Sequence, residues 1–427
     1  MPPEEWISGI TAAGRPRVVI VGAGFGGLWA AQALRNAPVE VLLLDRNNYH
    51  VFLPLLYQVG AAELEPEEIA APVRSIVRSM HSVHFALCEV QAVDLNRRIV
   101  HCGEFQVAYD YLIVAPGSVT RFLGVPGAER FGHPLKSLTE GVALRSHILR
   151  RFEEAVNLVD RDARRRKLAF VIVGGGATGV EYAGALSELV RGPLASDFPR
   201  LDLRDVSIRL VEAGSGLLPG MSPKLSRYAW RQLQKKGITV CLNKRVTRVT
   251  AESVELEEDE VIPTETVVWA SGVRGDDCIA NWGLPVSKLG WVTVEPTLQV
   301  PGHSRVYVVG DLALFEQEGR RLPLTAPVAT QQGRHAARNI LRSVAGTAPL
   351  TFRYRDLGSM VTIGRNAAVA HVAGRDFTGF PAWLLWLTVH IFRLIGFRNR
   401  LQVLINWAWD YIFHERAVRL IMPWGLK

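Results

Sequence analysis

Gly22, Gly24 and Gly27 stand in the frame G-x-G-x-x-G within RPRVVIVGAGFGGLWAAQAL. Gly174, Gly176 and Gly179 repeat that frame in KLAFVIVGGGATGVEYAGAL. Each triplet follows a run of β-branched apolar residues, Val18 to Val21 and Val171 to Val173, and opens a stretch of small residues. A strand–turn–helix setting of this kind is the context in which the frame binds a dinucleotide. The first glycine allows the tight turn, the second lets the backbone approach a pyrophosphate, and the third lets helix and strand pack closely. The phosphates then rest on the helix N-terminus. Two such settings predict two dinucleotides in one chain, a pairing suited to moving electrons between them.

Two carboxylates extend this chemistry. VEVLLLD places Asp45 at the end of the strand after the first fingerprint, and VSIRLVE places Glu212 at the matching position in the second. A carboxylate there accepts hydrogen bonds from a ribose diol and repels a 2′-phosphate. Asp45 therefore suits an unmodified adenosine ribose, as in FAD or NAD, and Glu212 favours NADH over NADPH. Glu181 follows Gly179 in the first turn of the second helix, where the helix dipole favours a negative charge. On the residues alone it is either a functional acid or a helix-terminus charge. The segment RGPLASDFPRLDLRD, Arg191 to Asp205, reads as a loop inserted between helix and strand.

These residues must be positioned by an α/β fold with two Rossmann-like dinucleotide-binding domains, the second inserted in the first. We expect residues 17–118 and 291–375 to form the first, residues 119–290 the second, and residues 380–427 a C-terminal helical segment. Buried strands are expected at Tyr111–Ala115 and Thr266–Val273. Further strands are expected near Phe352–Tyr354, Ser359–Ile363 and Ala367–Val372. Thr325 is expected to cap a helix with Pro327 in its first turn. A length of 427 residues suits two or three domains, and 48% apolar residues supply sizeable cores.

The net charge of +8 attracts anions. The basic residues form no aromatic-interleaved stripe, which argues against nucleic acid. Cys88, Cys102, Cys241 and Cys278 form no closely spaced pair. That spacing argues against a metal site, an iron–sulfur cluster or a disulfide scaffold, and it suits a reducing compartment. The N-terminal MPPEEWISGITAAGRPR reads as a flexible lead rather than a signal peptide.

The last segment differs in character. PAWLLWLTVHIFRLIGF is apolar but carries His390 and Arg393, too short and too interrupted to span a bilayer. In LQVLINWAWDYIFHERAVRLI, Gln402, Asn406, Asp410 and His414 make a polar stripe. Leu401, Leu404, Ile405, Ala408, Tyr411 and Ile412 fall on the other side. With Arg393, Arg398 and Arg400 at the turn, the tryptophan-rich apolar face suits a bilayer interface. A core or dimer interface would show the same stripe. Both nucleotide units are expected to close before Gly379.

Several further stretches narrow the reading: DRNNYHVFLPLLYQVG, YDYLIVAPGS, VVGDLA, APVATQQG and GFRNRLQVLINWAWDYI. With the two fingerprints, the chain resembles type II NADH dehydrogenases, single-subunit NADH:quinone oxidoreductases of the two-dinucleotide-binding flavoprotein superfamily. The resemblance implies noncovalent FAD held by Gly22, Gly24, Gly26 and Gly27, with Asp45 at the ribose and Arg46 beside it. It places Val90, in the strand ALCEV, against adenine, and puts Gly117, Asp311, Ala329 and Thr330 around the rest of the flavin. NADH falls to Gly174, Gly176, Gly179, Glu212 and Gly272. Glu181 is implied near the nicotinamide–flavin contact, in substrate placement or proton handling. The second glutamine of the family's quinone motif aligns with Gln331, with Gln332 beside it, whereas Pro327 replaces the first. Thr378 stands where some members carry a lysine.

The implied activity is hydride transfer from NADH to flavin N5, then two electrons to a membrane quinone, without proton pumping. The implied location is peripheral, on the cytoplasmic face of the cell membrane; dimerisation is left open. A sulfide:quinone oxidoreductase would need a cysteine pair flanking the flavin, and no cysteine lies between Cys102 and Cys241 or after Cys278. An NADH-responsive flavin-binding interaction protein is the other rival; the complete tail and Gln331 argue against it.

Overall fold

The computed structural model describes residues 14–103, 105–413, 415–416 and 418–422. Most of the N-terminal lead, and His414 of the polar stripe, lie outside them. The chain divides into two compact units. The first contains the chain up to Val51, Ala71–Val119 and Val273–Asp356. The second contains Phe52–Ala70, Thr120–Gly272 and the chain from Leu357 onward.

The first unit is built on a six-stranded sheet. Its strand Arg17–Val21 pairs in parallel with Glu40–Asp45 on one side and Tyr111–Val114 on the other. Val83–Leu87 extends the first side, and His303–Val308 the second. Every residue of Arg17–Val21 is buried, because a parallel strand covered on both faces must be apolar throughout. The helix Phe25–Leu34 returns over the sheet. Helix Ala326–Val344 packs on it so closely that a side chain on Gly333 would collide with the Gly26 carbonyl. An antiparallel sheet of Ala92–Asp94, Ile99–Cys102 and Phe105–Ala108 completes the unit.

The second unit repeats the plan with a five-stranded parallel sheet in the order Gly132–Pro134, Thr266–Trp269, Ala169–Val173, Ser207–Val211 and Ile238–Cys241. The helix Ala177–Leu189 follows Ala169–Val173. The expected loop after it begins as a π-helical turn, Val190–Leu194, and ends at Asp205, which is buried and ion-paired with Arg161, Arg164 and Arg165.

The domain boundaries expected from sequence need correction. Return to the first unit comes at Val273 rather than near 291, because Ile279 and Trp282 bury in that unit's core. The antiparallel sheet Ser359–Gly364, Ala367–Val372 and Arg375–Thr378 belongs to the second unit. Gly184 of the helix Ala177–Leu189 approaches the Ile363 carbonyl so closely that no Cβ would fit. Phe352–Tyr354 forms no strand, and the buried strand at Thr266 ends at Trp269. Thr325 does stand at the N-cap with Pro327 just inside, but its side chain makes no capping bond.

The tail is part of the second unit rather than an appendage that begins after it closes. It forms helices Phe380–Arg393 and Phe397–Phe413. Ala382, Trp386, Val403 and Arg416 are buried. Asn406 and Asp410 of the polar stripe face inward: Asn406 donates to the Glu68 carboxylate, and Asp410 lies 3.4 Å from Arg365. The apolar side faces outward, with Ile405 54%, Ile412 64% and Phe397 81% exposed. No described helix is long and apolar enough to cross a membrane.

Candidate functional site

The first fingerprint forms a dinucleotide cradle. Gly22 adopts φ +102°, and a side chain there would collide with the Ala115 carbonyl; one on Gly27 would collide with the Gly22 carbonyl. Gly24 and Gly117, by contrast, face open space, with nothing within 4 Å of where a Cβ would stand. Gly24 is the N-cap of the helix, and no side chain caps it. First-turn amides without a side-chain cap beside an open glycine suit a pyrophosphate. Gly26 is different: it is buried, and its Cβ would meet Val309 Cγ2 at 3.0 Å. It therefore serves helix packing.

Asp45 braces this cradle. Its Oδ2 accepts the Ala23 N–H at 2.7 Å and its Oδ1 the Asn47 N–H at 2.7 Å. Burial raises its pKa, and those two donors oppose the rise. Each carboxylate oxygen has a second lone pair for a ribose hydroxyl. Arg46 lies 3.7 Å from Glu89 and 3.6 Å from Asp276. Val90 is buried but lies beyond the strand Val83–Leu87, not inside it as expected. Asp311 sits in a turn after His303–Val308 and accepts the Ser118 hydroxyl at 2.6 Å. These residues fit FAD: an open glycine turn, a strand-end carboxylate at the ribose position and a second carboxylate in the turn after His303–Val308.

Helix Ala326–Val344 separates its two glutamines. Gln332 is 1% exposed, and its Oε1 accepts the Gly310 N–H at 2.7 Å, fixing the turn that carries Asp311. Gln331 is half-buried; its Nε2 donates to the Arg355 carbonyl at 2.9 Å and its Oε1 accepts the Arg355 N–H at 3.0 Å. Ala329 is buried beside Gly310, and Thr330 is half-buried.

The second fingerprint repeats the geometry. A side chain on Gly179 would collide with the Gly174 carbonyl, whereas Gly176 is open and its helix is uncapped by any side chain. Glu212 accepts the Gly175 N–H on one oxygen and the Gly214 N–H on the other, both at 2.6 Å. Gly272, with φ +78°, closes on the loop Arg121–Leu123, where its carbonyl accepts the Arg121 N–H at 3.1 Å.

Glu181 is buried, and desolvation holds its carboxyl well above the usual range, opposed by a bond from the Thr362 backbone. The Trp386 indole N–H faces it and also opposes the rise. Such desolvation favours the neutral acid, a form that can hand its proton to a group entering the site.

Sequence reasoning missed the surroundings. His50 Nδ1 bonds the Ala23 carbonyl at 2.8 Å, and burial pushes its pKa down to about 4, so the neutral ring donates. In the second unit, Trp407 Nε1 donates to Gln58 Oε1 and Gln58 Nε2 to Tyr57 Oη, both at 3.1 Å. Trp407 has only a donor, so this chain orients the amide and leaves the Tyr57 proton to be donated elsewhere. Arg416 donates to the Ala61 and Ala185 carbonyls at 2.9 and 3.1 Å and lies 3.5 Å from Glu188 and 3.9 Å from Glu63. Tyr57 and Gln58 lie in the stretch LLYQVG that carries the resemblance; no local pattern marks Arg416.

The model of the pyridine nucleotide-disulphide oxidoreductase family matches residues 16–333, and that of the NDH2 C-terminal domain matches residues 357–415. Two relatives from Mycobacterium tuberculosis are the type II NADH:quinone oxidoreductases Ndh and NdhA. Ndh is 36% identical over 94% of this chain and 89% of its own. NdhA is 38% identical over 95% and 89%. The structure of NDH2 from Plasmodium falciparum in complex with NADH superposes with a TM-score of 0.87 at 18% identity, covering 95% of this chain and 99% of that one. That likeness shows the two-dinucleotide-binding fold.

Proposed function

We propose that this chain, which belongs to the type II NADH:quinone oxidoreductases within the pyridine nucleotide-disulphide oxidoreductase family, oxidises NADH and reduces a quinone through noncovalent FAD. The observation that carries the reading is the pair of open glycine cradles, each braced by its own strand-end carboxylate. FAD, when bound, supplies a carrier that takes two electrons from a nicotinamide and yields them to a quinone.

The chain's residues then have distinct tasks. Gly22, Gly24 and Gly27 seat one pyrophosphate and Asp45 its ribose; Asp311, steadied by Ser118 and by Gln332 through Gly310, holds the other end. Gly174, Gly176 and Gly179 seat NADH, and Glu212 repels a 2′-phosphate. Glu181 lies in a dry setting that favours its protonated form, suited to proton handling during quinone reduction. Gln331 is the polar group we assign to the quinone side, its amide oriented by Arg355.

The outward apolar face of the tail helices suits a lipid surface, with Arg393 and Arg398 exposed beside it. We place the protein peripherally on the cytoplasmic face of the cell membrane, where NADH is made and quinones with isoprenoid tails are reached. Steady-state oxidation of NADH with a soluble quinone analogue tests the reading. Turnover that stops when quinone is omitted under anaerobic conditions supports it; NADH binding without turnover favours a non-catalytic interaction protein.

A further inference from the structure

The cysteine spacing, which argued against a disulfide scaffold, conceals one bridge. Cys88 and Cys102 are joined by a disulfide, with Cα atoms 5.9 Å apart, whereas Cys241 and Cys278 are free. The pair was invisible to spacing because 14 residues separate the partners. The antiparallel sheet folds that intervening chain back, so Cys102 ends its strand beside the exit of Val83–Leu87.

The location gives the bridge meaning. The Cys88 N–H donates to the Asp45 carbonyl at 2.8 Å, so the bridged residue abuts the residue assigned to the adenosine ribose. Glu89, next along, faces Arg46, and Val90 is the residue assigned to adenine. Besides the bridge, the segment 88–91 is held by the Cys88 bond, by the Arg46–Glu89 pair, by Val90 buried in the core and by Gln91, whose N–H donates to the His101 carbonyl at 3.0 Å. The disulfide is the covalent clamp on this wall. Cys102 is buried, while Cys88 is half-buried, packed against the core with exposed Leu87 and Glu89 on either side, so Cys88 is the less buried of the two partners.

We propose that Cys88–Cys102 is a redox modification site on the adenosine wall of the first cradle, closed by oxidation to retain the flavin and opened by an external dithiol to release it. The proposal rests on the reading that this cradle takes FAD. A thiolate of the dithiol attacks Cys88 Sγ; the S–S bond breaks, and Cys102 leaves as a thiolate and takes a proton. The reductant's second thiolate then attacks the mixed disulfide, and Cys88 leaves and is protonated. Two electrons and two protons pass to the pair, and the dithiol becomes a disulfide. The reverse reaction with a small-molecule disulfide closes the site. Cys278 shares the neighbourhood, and burial, then Asp276, push its thiol up to about 12, which disfavours the thiolate that would attack the bridge. Where the surroundings are reducing, disulfides that do form are usually transient or redox-sensing.

The test uses the full-length protein purified without reductant, quenched in acid and labelled with a maleimide after denaturation. Two labels before dithiothreitol and four after it are expected, matching the bridge and the two free thiols. Flavin release, followed by fluorescence on dilution, should quicken by roughly tenfold on reduction and slow again with oxidised glutathione. The Cys88→Ser and Cys102→Ser double variant should release flavin at the reduced protein's rate with or without dithiothreitol. Thermal melting of the apoproteins separates that effect from misfolding. Four labels even after oxidised glutathione, or a release rate unaffected by opening the bridge, overturns the proposal. A protein that never carries flavin overturns the cradle reading and the retention role together, while the label count still decides whether the pair is redox-active.

Discussion

The Gln332 side-chain carbonyl accepts the Gly310 N–H at 2.7 Å, tying the helix Ala326–Val344 to the turn that presents Asp311. Gln332 is buried, so Gln332→Leu leaves the Gly310 donor without a partner, a cost of about 1–3 kcal/mol. We expect weaker FAD binding and faster flavin release, measured by fluorescence, with little change in NADH affinity of the flavin-loaded fraction. Wild-type flavin retention in the variant would show that the turn holds Asp311 by itself.

Glu212 divides its carboxylate between the Gly175 and Gly214 amides. Glu212→Gln preserves one acceptor and removes the charge. The preference for NADH over NADPH in flavin reduction should fall by about tenfold, the factor that 1.4 kcal/mol of lost repulsion supplies. An unchanged ratio would mean that Glu212 braces the turn without selecting the nucleotide.

Burial raises the Glu63 carboxyl from 4.5 to about 7, against the attraction of Arg416, with Asp410 and Glu188 adding to the rise and Arg365 opposing it. The folded chain thus holds this proton more tightly than the unfolded chain does. Its stabilising contribution is complete below pH 4.5 and is lost as pH rises through about 7. Glu63→Gln removes the ionisation. Its melting temperature should fall less than the wild type's between those two pH values. Parallel curves would show that Glu63 is ionised throughout, paired with Arg416.

Both cradles were legible in the sequence because their glycine spacing is local and their sterics are severe. Gly27 against the Gly22 carbonyl leaves no alternative residue. Asp45 and Glu212 were legible as strand-end acids, but their grip on the Ala23, Gly175 and Gly214 amides was not, since it depends on turn geometry. The disulfide, the Trp407–Gln58–Tyr57 chain and the Arg416 cluster join residues far apart in sequence, where no periodicity points. The tail's stripe was legible in period but ambiguous in sense. The structure turns Asn406 and Asp410 inward and Ile405 and Ile412 outward.

Truncation after Gly379 would remove buried Trp386 and Arg416 together with the exposed face, confounding membrane release with loss of the core. Exchanging exposed Leu404, Ile405 and Ile412 together for serine spares the core. Fully burying each such side chain is worth roughly 1.5–3 kcal/mol, so the triple variant should leave lipid vesicles while keeping its flavin and melting temperature. Unchanged co-sedimentation would assign this face to another copy of the chain or to a protein partner.

The most direct measurement mixes the purified flavin-loaded protein rapidly and anaerobically with NADH, then with a soluble quinone, while following flavin absorbance. Bleaching by NADH, much slower bleaching by NADPH, and recovery of the oxidised spectrum on adding quinone are the expected results. A flavin that NADH leaves oxidised, or one that bleaches and is not reoxidised by quinone, would contradict the assignment.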